Sequence, residues 1–349
     1  RIEGAMTDHA APAPAESAGK PADLVLEGGG VKGIGLAGAV LALEQAGYRF
    51  QRVAGTSAGA IAAAIIAALN KAGKPMSGLR DYLQTMQFEQ FMAKSRVRAA
   101  LGGLADAEHL LLHMGLYDGD YLLDWLGSVL KDIGVTHFGD LRLDDASADR
   151  NWTARQRYSL VVHVSDITRG KLVRLPWEYG EYGLDADGER IVDAVRASMS
   201  IPFFFEPVRV RAAAVTAGVA DVTAAAGRVT WVDGGLLDNF PVDVFDRTDG
   251  AVSRWPTIGI KLSARQTSIS GGHGTDNIAA EAIACLETVL DNAGRYYITP
   301  EKAARTIFVD NAGIKATDFN LTPDQRQKLY ENGQQAALRW MAKQAEQTA

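Results

Sequence analysis

Two consecutive stretches decide the fold: Leu24–Gly47, LVLEGGGVKGIGLAGAVLALEQAG, and Tyr48–Leu69, YRFQRVAGTSAGAIAAAIIAAL. The apolar run from Asp23 to Glu27 is short and alternates little, which suits a strand buried on both faces. Ile34 to Ala46 reads as a helix, with Gly47 in the position where helices often stop. The pattern then repeats: a second short strand enters a glycine-flanked turn at GTSAG, and an Ala-rich helix begins at Ala58. Strand, turn and helix, twice in succession, predict a parallel sheet with helical crossovers.

Strands are expected further on at RYSLVVHVSDI, GKLVRLPW, TIGIKL and RTIFVD, with a helix at RIVDAVRASMS. The section from Pro75 to about Asp149 reads as mostly helical, YDGDYLLDWLGSVLKDIG being its clearest amphipathic piece. SIPFFFEPVRV is a proline-bounded aromatic run leading into a strand, and Ala212–Arg228 reads as a hairpin or a mobile insertion. A helix is expected from about Asp276 to Tyr297. Thr322-Pro323-Asp324-Gln325 supplies a cap, a first-turn proline and a reciprocal Gln for a C-terminal helix over about 322–347. No linker divides residues 23–349, so one domain is expected, with a helical insertion at about 75–149. The opening RIEGAM reads as an expression remnant, with Met6 as the natural start. The Ala/Pro-rich residues up to 22 read as a disordered lead-in.

With 349 residues, 47% apolar and 22% charged, the chain has the composition of a globular enzyme with a large core. A net charge of −6 gives no basic footprint, so nucleic acid is not an expected partner. Cys285 is the one cysteine, which excludes an intrachain disulfide and a cysteine zinc cage. Ala58–Leu69 is too short to span a bilayer. A cytoplasmic setting with peripheral membrane contact is expected, while export stays open.

Gly28-Gly29-Gly30-Val31-Lys32-Gly33 satisfies G-x-G-x-x-G between a strand and a helix, as a dinucleotide site would. That site also needs an acidic residue about 20 residues further on to hold the ribose, and YRFQRVAGTSAGA contains none. A P-loop fails too, because Lys32 is followed by Gly33 rather than by Ser or Thr. What stands there instead is Gly55-Thr56-Ser57-Ala58-Gly59. This is G-x-S-x-G between a strand and a small-residue helix, the setting of a nucleophile elbow. Adjacent βα turns of a parallel sheet meet at its carboxyl end, so the Gly28–Gly30 amides can face a carbonyl attacked by Ser57.

A serine nucleophile needs a base. His163 lies inside an apolar strand and reads as a core histidine. His273, in the loop GGHGTDN, has the chain order of a Ser–Asp–His triad. Asp233 in WVDGG is the stronger candidate. It ends an apolar strand, and Trp231, Val232 and Leu236 would raise its pKa toward that of a useful base.

Four blocks in order, GGGVKG at Gly28–Gly33, GTSAG at Gly55–Gly59, ASMSIPFFFEPV at Ala197–Val208 and DGG at Asp233–Gly235, resemble the patatin-like phospholipase family. The similarity runs from about Asp23 to Phe245, and FNLTPDQRQKLYENG resembles a C-terminal helix of bacterial members. The resemblance implies a three-layer α/β/α sandwich with a mostly parallel central sheet. It also implies a Ser57–Asp233 dyad, with Gly28, Gly29 and Gly30 as oxyanion donors. The implied reaction is hydrolysis of phospholipids or other acyl lipids through an acyl-enzyme, with no metal or organic cofactor. Lys32 occupies the family's basic position and either favours anionic headgroups or pins the loop. Phe203, Phe204 and Phe205 are either core or an acyl groove or membrane-facing lip. Leu116, Tyr117, Leu122, Leu123 and Trp125 are candidates for a lid. A small-ester or thioester hydrolase with the same dyad and a catalytically silent lipid-binding scaffold are the competing functions; any protein activator is unknown.

Overall fold

The structure, a computed structural model, describes residues 19–92, 115–117, 119–143, 154–212, 227–262, 288–289 and 298–348 apart from 315, 317 and 319. It is a mixed α/β fold with a central sheet flanked by helices. Its first two strand–helix units are laid down as the sequence predicts. Strand β1 (Lys20–Leu26) leads to helix α1 (Ile34–Gln45), then β2 (Tyr48–Thr56) leads to α2 (Ala58–Lys71). β1 starts at Lys20, within the stretch read as a lead-in, because its first residues pair with Tyr48–Phe50 of β2.

α3 (Ser77–Thr85), the short strand β3 (Gly115–Tyr117) and α4 (Asp120–Ile133) follow, so the section expected to be mostly helical also holds a strand. Then come β4 (Leu160–Asp166), β5 (Lys171–Leu175), α5 (Ile191–Ser198), β6 (Phe203–Phe205), β7 (Val208–Val210) and β8 (Val229–Asp233). β9 (Thr257–Lys261), α6 (Pro300–Ala304), β10 (Thr306–Phe308) and α7 (Pro323–Thr348) complete the described elements. The expected hairpin or insertion after Ala212 and the helix expected from about Asp276 lie largely outside the described residues.

The main sheet runs β10-β9-β1-β2-β4-β8-β7, with β5 also on β4, and β3 and β6 form a separate pair. Pairing is parallel from β10 to β4 and antiparallel for β5, β8 and β7. The aspartate strand is therefore antiparallel to its neighbour. Period-two alternation splits the core between the two faces of the sheet. Leu24, Leu26 and Val53 join the large core with α1 and α2, whereas Val25, Ala54 and Val161 pack with Phe240, Val242 and Phe245. α2 is buried from Ala58 to Leu69, as expected of a helix apolar all round.

Register places the site. On β4, His163 pairs with Thr56 and the next residue, Val164, pairs with Asp233. Consecutive residues of one strand thus bring the end of β2 and the end of β8 together.

Candidate active site

Ser57 sits between β2 and α2 with φ +53° and ψ −124°. A non-glycine residue in that region costs about 1–3 kcal/mol and is held only where its surroundings dictate it. Gly55 and Gly59 make the turn sterically possible. A Cβ on Gly55 would strike the carbonyl of Gly59, and a Cβ on Gly59 would strike the carbonyls of Leu26 and Glu27. The turn is also fastened by a side chain. The Ser57 N–H donates to Ser198 Oγ at 2.9 Å, and Ser198 Oγ donates to the His163 carbonyl at 2.6 Å. Ser198 lies within the ASMS block, but nothing in that block marked it as a partner of this amide.

The Ser57 hydroxyl donates to Asp233 Oδ2 at 2.7 Å, and Met199 Sδ lies 3.4 Å from Ser57 Oγ. Asp233 Oδ1 accepts the N–H of Gly235 at 2.7 Å. The carboxyl group is 1% exposed, and burial pushes its pKa up to about 7 against the lowering effect of these two hydrogen bonds. A group at that value can take a proton from a hydroxyl and return it near neutral pH.

The glycine loop adjoins this pair. Gly30 has φ +55°, and a Cβ there would collide with the Ala316 carbonyl, so only glycine fits. Among the described residues, the N–H groups of Gly29, Gly30 and Ala58 have no hydrogen-bond partner. Gly28 differs from the expectation that all three loop glycines donate. Its N–H is engaged by the Asn239 carbonyl at 3.2 Å, and its own carbonyl accepts from Asn239 Nδ2 at 3.0 Å. In the sequence, an Asn six residues after the aspartate reads as a turn residue and carries no signal of this role. Below the loop, Glu27 forms a buried ion pair with Lys261 and accepts the Leu262 N–H at 2.5 Å, anchoring the end of β1 to β9.

Ser57, Asp233, Gly28–Gly30 and Lys32 line one cavity. Lys32 is 7% exposed, and its ammonium group makes no hydrogen bond or ion pair among the described residues. Phe203, Phe204 and Phe205 are absent from the lining; Ile201 takes their place. Phe205 is buried against Phe91 and Tyr117, Phe204 is half-buried, and Phe203 is 39% exposed with φ +68°. The run pairs with β3 in a two-stranded sheet separate from the main one. The lid expectation also changes, since Leu122 is buried in the core and Leu123 and Trp125 pack against it.

His163 is buried, with Nδ1 3.3 Å from the Gly55 carbonyl and Nε2 without a partner among the described residues. Burial lowers its pKa to about 4, and its ring makes no hydrogen bond to Ser57. His273 lies outside the described residues. Among the described residues no cluster of three His, Cys, Asp or Glu is placed to hold a metal ion.

Comparison with known proteins finds relatives of this chain at the level of family. Residues 24–246 match the family model described as Patatin-like phospholipase. The uncharacterized protein YqhO of Bacillus subtilis (strain 168) is 35% identical over 314 residues, covering 89% of this chain and 94% of the relative. Among solved structures, VipD from Legionella pneumophila aligns over 93% of this chain and 67% of its own, with 17% identity and a TM-score of 0.48. ExoU, in its complex with SpcU from the type III secretion system of Pseudomonas aeruginosa, aligns over 93% of this chain and 52% of its own, with 18% identity and a TM-score of 0.47.

Proposed function

The chain belongs to the patatin-like phospholipase family, and from that membership and the geometry of the site we propose that it hydrolyses acyl-ester bonds of phospholipids or related acyl lipids with Ser57 as nucleophile and Asp233 as general base. The single observation that carries the reading is the 2.7 Å hydrogen bond from the Ser57 hydroxyl to a buried carboxyl group raised to about 7.

Asp233 Oδ2 takes the Ser57 proton as Oγ attacks the ester carbonyl carbon. Negative charge moves to the carbonyl oxygen, where the unpaired N–H groups of Gly29, Gly30 and Ala58 receive it. Removal of one such donor typically raises a barrier by about 3–4 kcal/mol. The tetrahedral intermediate collapses as the leaving alkoxide recovers the proton from Asp233, giving an acyl-enzyme and an alcohol. Asp233 then deprotonates a water that attacks the acyl carbon, and Ser57 leaves with the proton. Gly28 acts differently from its neighbours: tied to Asn239, it holds the loop in place. Lys32, buried and without an ion-pair partner among the described residues, offers its charge to the phosphate of the leaving group. The enzyme meets its lipid by peripheral contact; no described helix is long and apolar enough to cross a membrane.

Hydrolysis of micellar phospholipid by the wild type, Ser57→Ala and Asp233→Asn tests this reading. Each variant should lose at least about a thousandfold in kcat while keeping its fold. Full activity in either variant would reject the dyad. Turnover of short esters with none of phospholipid would favour a small-ester or thioester hydrolase using the same pair.

A further inference from the structure

A second cavity adjoins the first, and its lining is almost wholly apolar. The two share Gly30, and the second is bounded by Ala58, the residue after the proposed nucleophile, and by Met199. Met199 Sδ lies 3.4 Å from Ser57 Oγ, so one wall of this slot touches the reacting hydroxyl. It leads away from the side where Lys32 and Asn239 line the first cavity, toward α3 and the segment Phe88–Met92.

The far end is specific. Ile34, at the start of α1, and Leu83, in α3, line the slot and also line a separate cleft of about 460 Å³ between α1, α3 and α7. The cleft carries Arg80, Arg326 and Tyr330 on its other side. Two side chains therefore form the partition between an apolar slot beside Ser57 and a larger cleft of mixed polarity. The free space in the slot is small, about 20 Å³. Two of its walls are Met86 and Met199, side chains that repack easily around an inserted chain.

Resting on the hydrolase reading above, we infer that this slot receives the acyl chain of the substrate and that Ile34 and Leu83, which close it, set the length of chain accepted. The carbonyl lies at Gly29 and Gly30, the acyl tail passes Ala58 and Met199 toward Leu83, and the alcohol part lies on the Lys32 side. The Phe203–Phe205 run takes no part in holding the tail. Contacts made by successive methylenes in an apolar pocket discriminate substrates by about 10–200-fold each way. Moving the partition by one side chain changes the preferred length for that reason.

The experiment measures kcat/KM for p-nitrophenyl butyrate, octanoate, dodecanoate and hexadecanoate with the wild type, Leu83→Trp and Leu83→Ala. Leu83→Trp fills the slot and should lower the dodecanoate-to-butyrate ratio at least about tenfold. Leu83→Ala opens the partition into the cleft and should raise the hexadecanoate-to-octanoate ratio by a similar factor. Circular dichroism checks the fold; should Leu83→Trp not fold, Leu83→Ala decides alone. Ratios within twofold of wild type in the folded variants, with butyrate hydrolysed and Ser57 labelled by a fluorophosphonate, would overturn the slot assignment and leave the hydrolase standing. Absence of ester hydrolysis and of labelling in the wild type would overturn the hydrolase reading and this inference with it.

Discussion

Ser57 Oγ and Asp233 Oδ2 are 2.7 Å apart although 176 residues separate them in the chain. The approach is imposed by β4, whose adjacent residues His163 and Val164 pair with Thr56 and Asp233. The two side chains are presented in different ways. Ser57 projects from a strained turn, while Asp233 ends a strand and is held by the Gly235 amide. The consequences of that contact can be measured.

The first concerns pH. Asp233 accepts a proton only when ionised, and burial has raised its pKa to about 7. kcat/KM, which reports the free enzyme, should rise with pH through an inflection near 7 and fall about tenfold per unit well below it. A pH–rate profile on a neutral ester measures this. An inflection near the ordinary aspartate value would mean that a different group is the base.

The second is a cost in stability. The folded pKa of Asp233 lies above its ordinary value of 3.8, so between the two the unfolded chain releases a proton that the folded chain keeps. Stability contributed by this group is therefore full below pH 3.8, falls as pH rises toward 7, and is level beyond. Asp233→Asn cannot ionise and escapes the loss. Its Tm relative to wild type should increase between pH 4 and pH 7, by about 2 °C or more. Thermal melts across that range check it; a constant difference would contradict it.

Ser198 is predicted to be a positioning residue. Its hydroxyl accepts the Ser57 N–H and donates to the His163 carbonyl. Ser198→Ala leaves a buried N–H unpaired, at a cost of about 1–3 kcal/mol. The strained turn would relax, lowering kcat by about 10–100-fold with KM nearly unchanged. A merely structural serine would lower Tm and leave kcat of the folded protein intact, so the split between kcat and KM decides.

The ion pair beneath the glycine loop gives a further prediction. Glu27 and Lys261 are each 3% exposed. Lys261→Met removes the cation paired with the buried Glu27 carboxylate and should cost about 3–5 kcal/mol in urea unfolding. The double variant Glu27→Gln/Lys261→Met removes both charges and keeps an acceptor for the Leu262 N–H, so it should recover most of that loss. No recovery would show that the pair is not coupled in the way its geometry indicates.

These predictions separate what the sequence makes legible from what it leaves implicit. The strand–glycine–helix units at Asp23–Gly47 and Tyr48–Leu69 announce themselves, because glycine turns and apolar periodicity are local signals. The pairing of Ser57 with Asp233 is legible through context: an elbow needs a base, and an aspartate among apolar neighbours can become one. Asn239, Ser198 and the slot lined by Ile34, Ile61 and Leu83 were not legible. Each is an ordinary residue type whose role arises from a partner far along the chain, such as Asn239 with Gly28. The Phe203–Phe205 run shows the complementary limit. Its apolarity predicted burial, but its direction depended on pairing with Gly115–Tyr117.

The most direct test of the central claim is the site of covalent modification by a fluorophosphonate ester. Wild-type protein incubated with the reagent and digested should carry the adduct on the peptide containing Ser57. Labelling should slow at least about a hundredfold in Asp233→Asn, because the hydroxyl has lost its base. An adduct on another residue, or labelling of Asp233→Asn at the wild-type rate, would contradict the account.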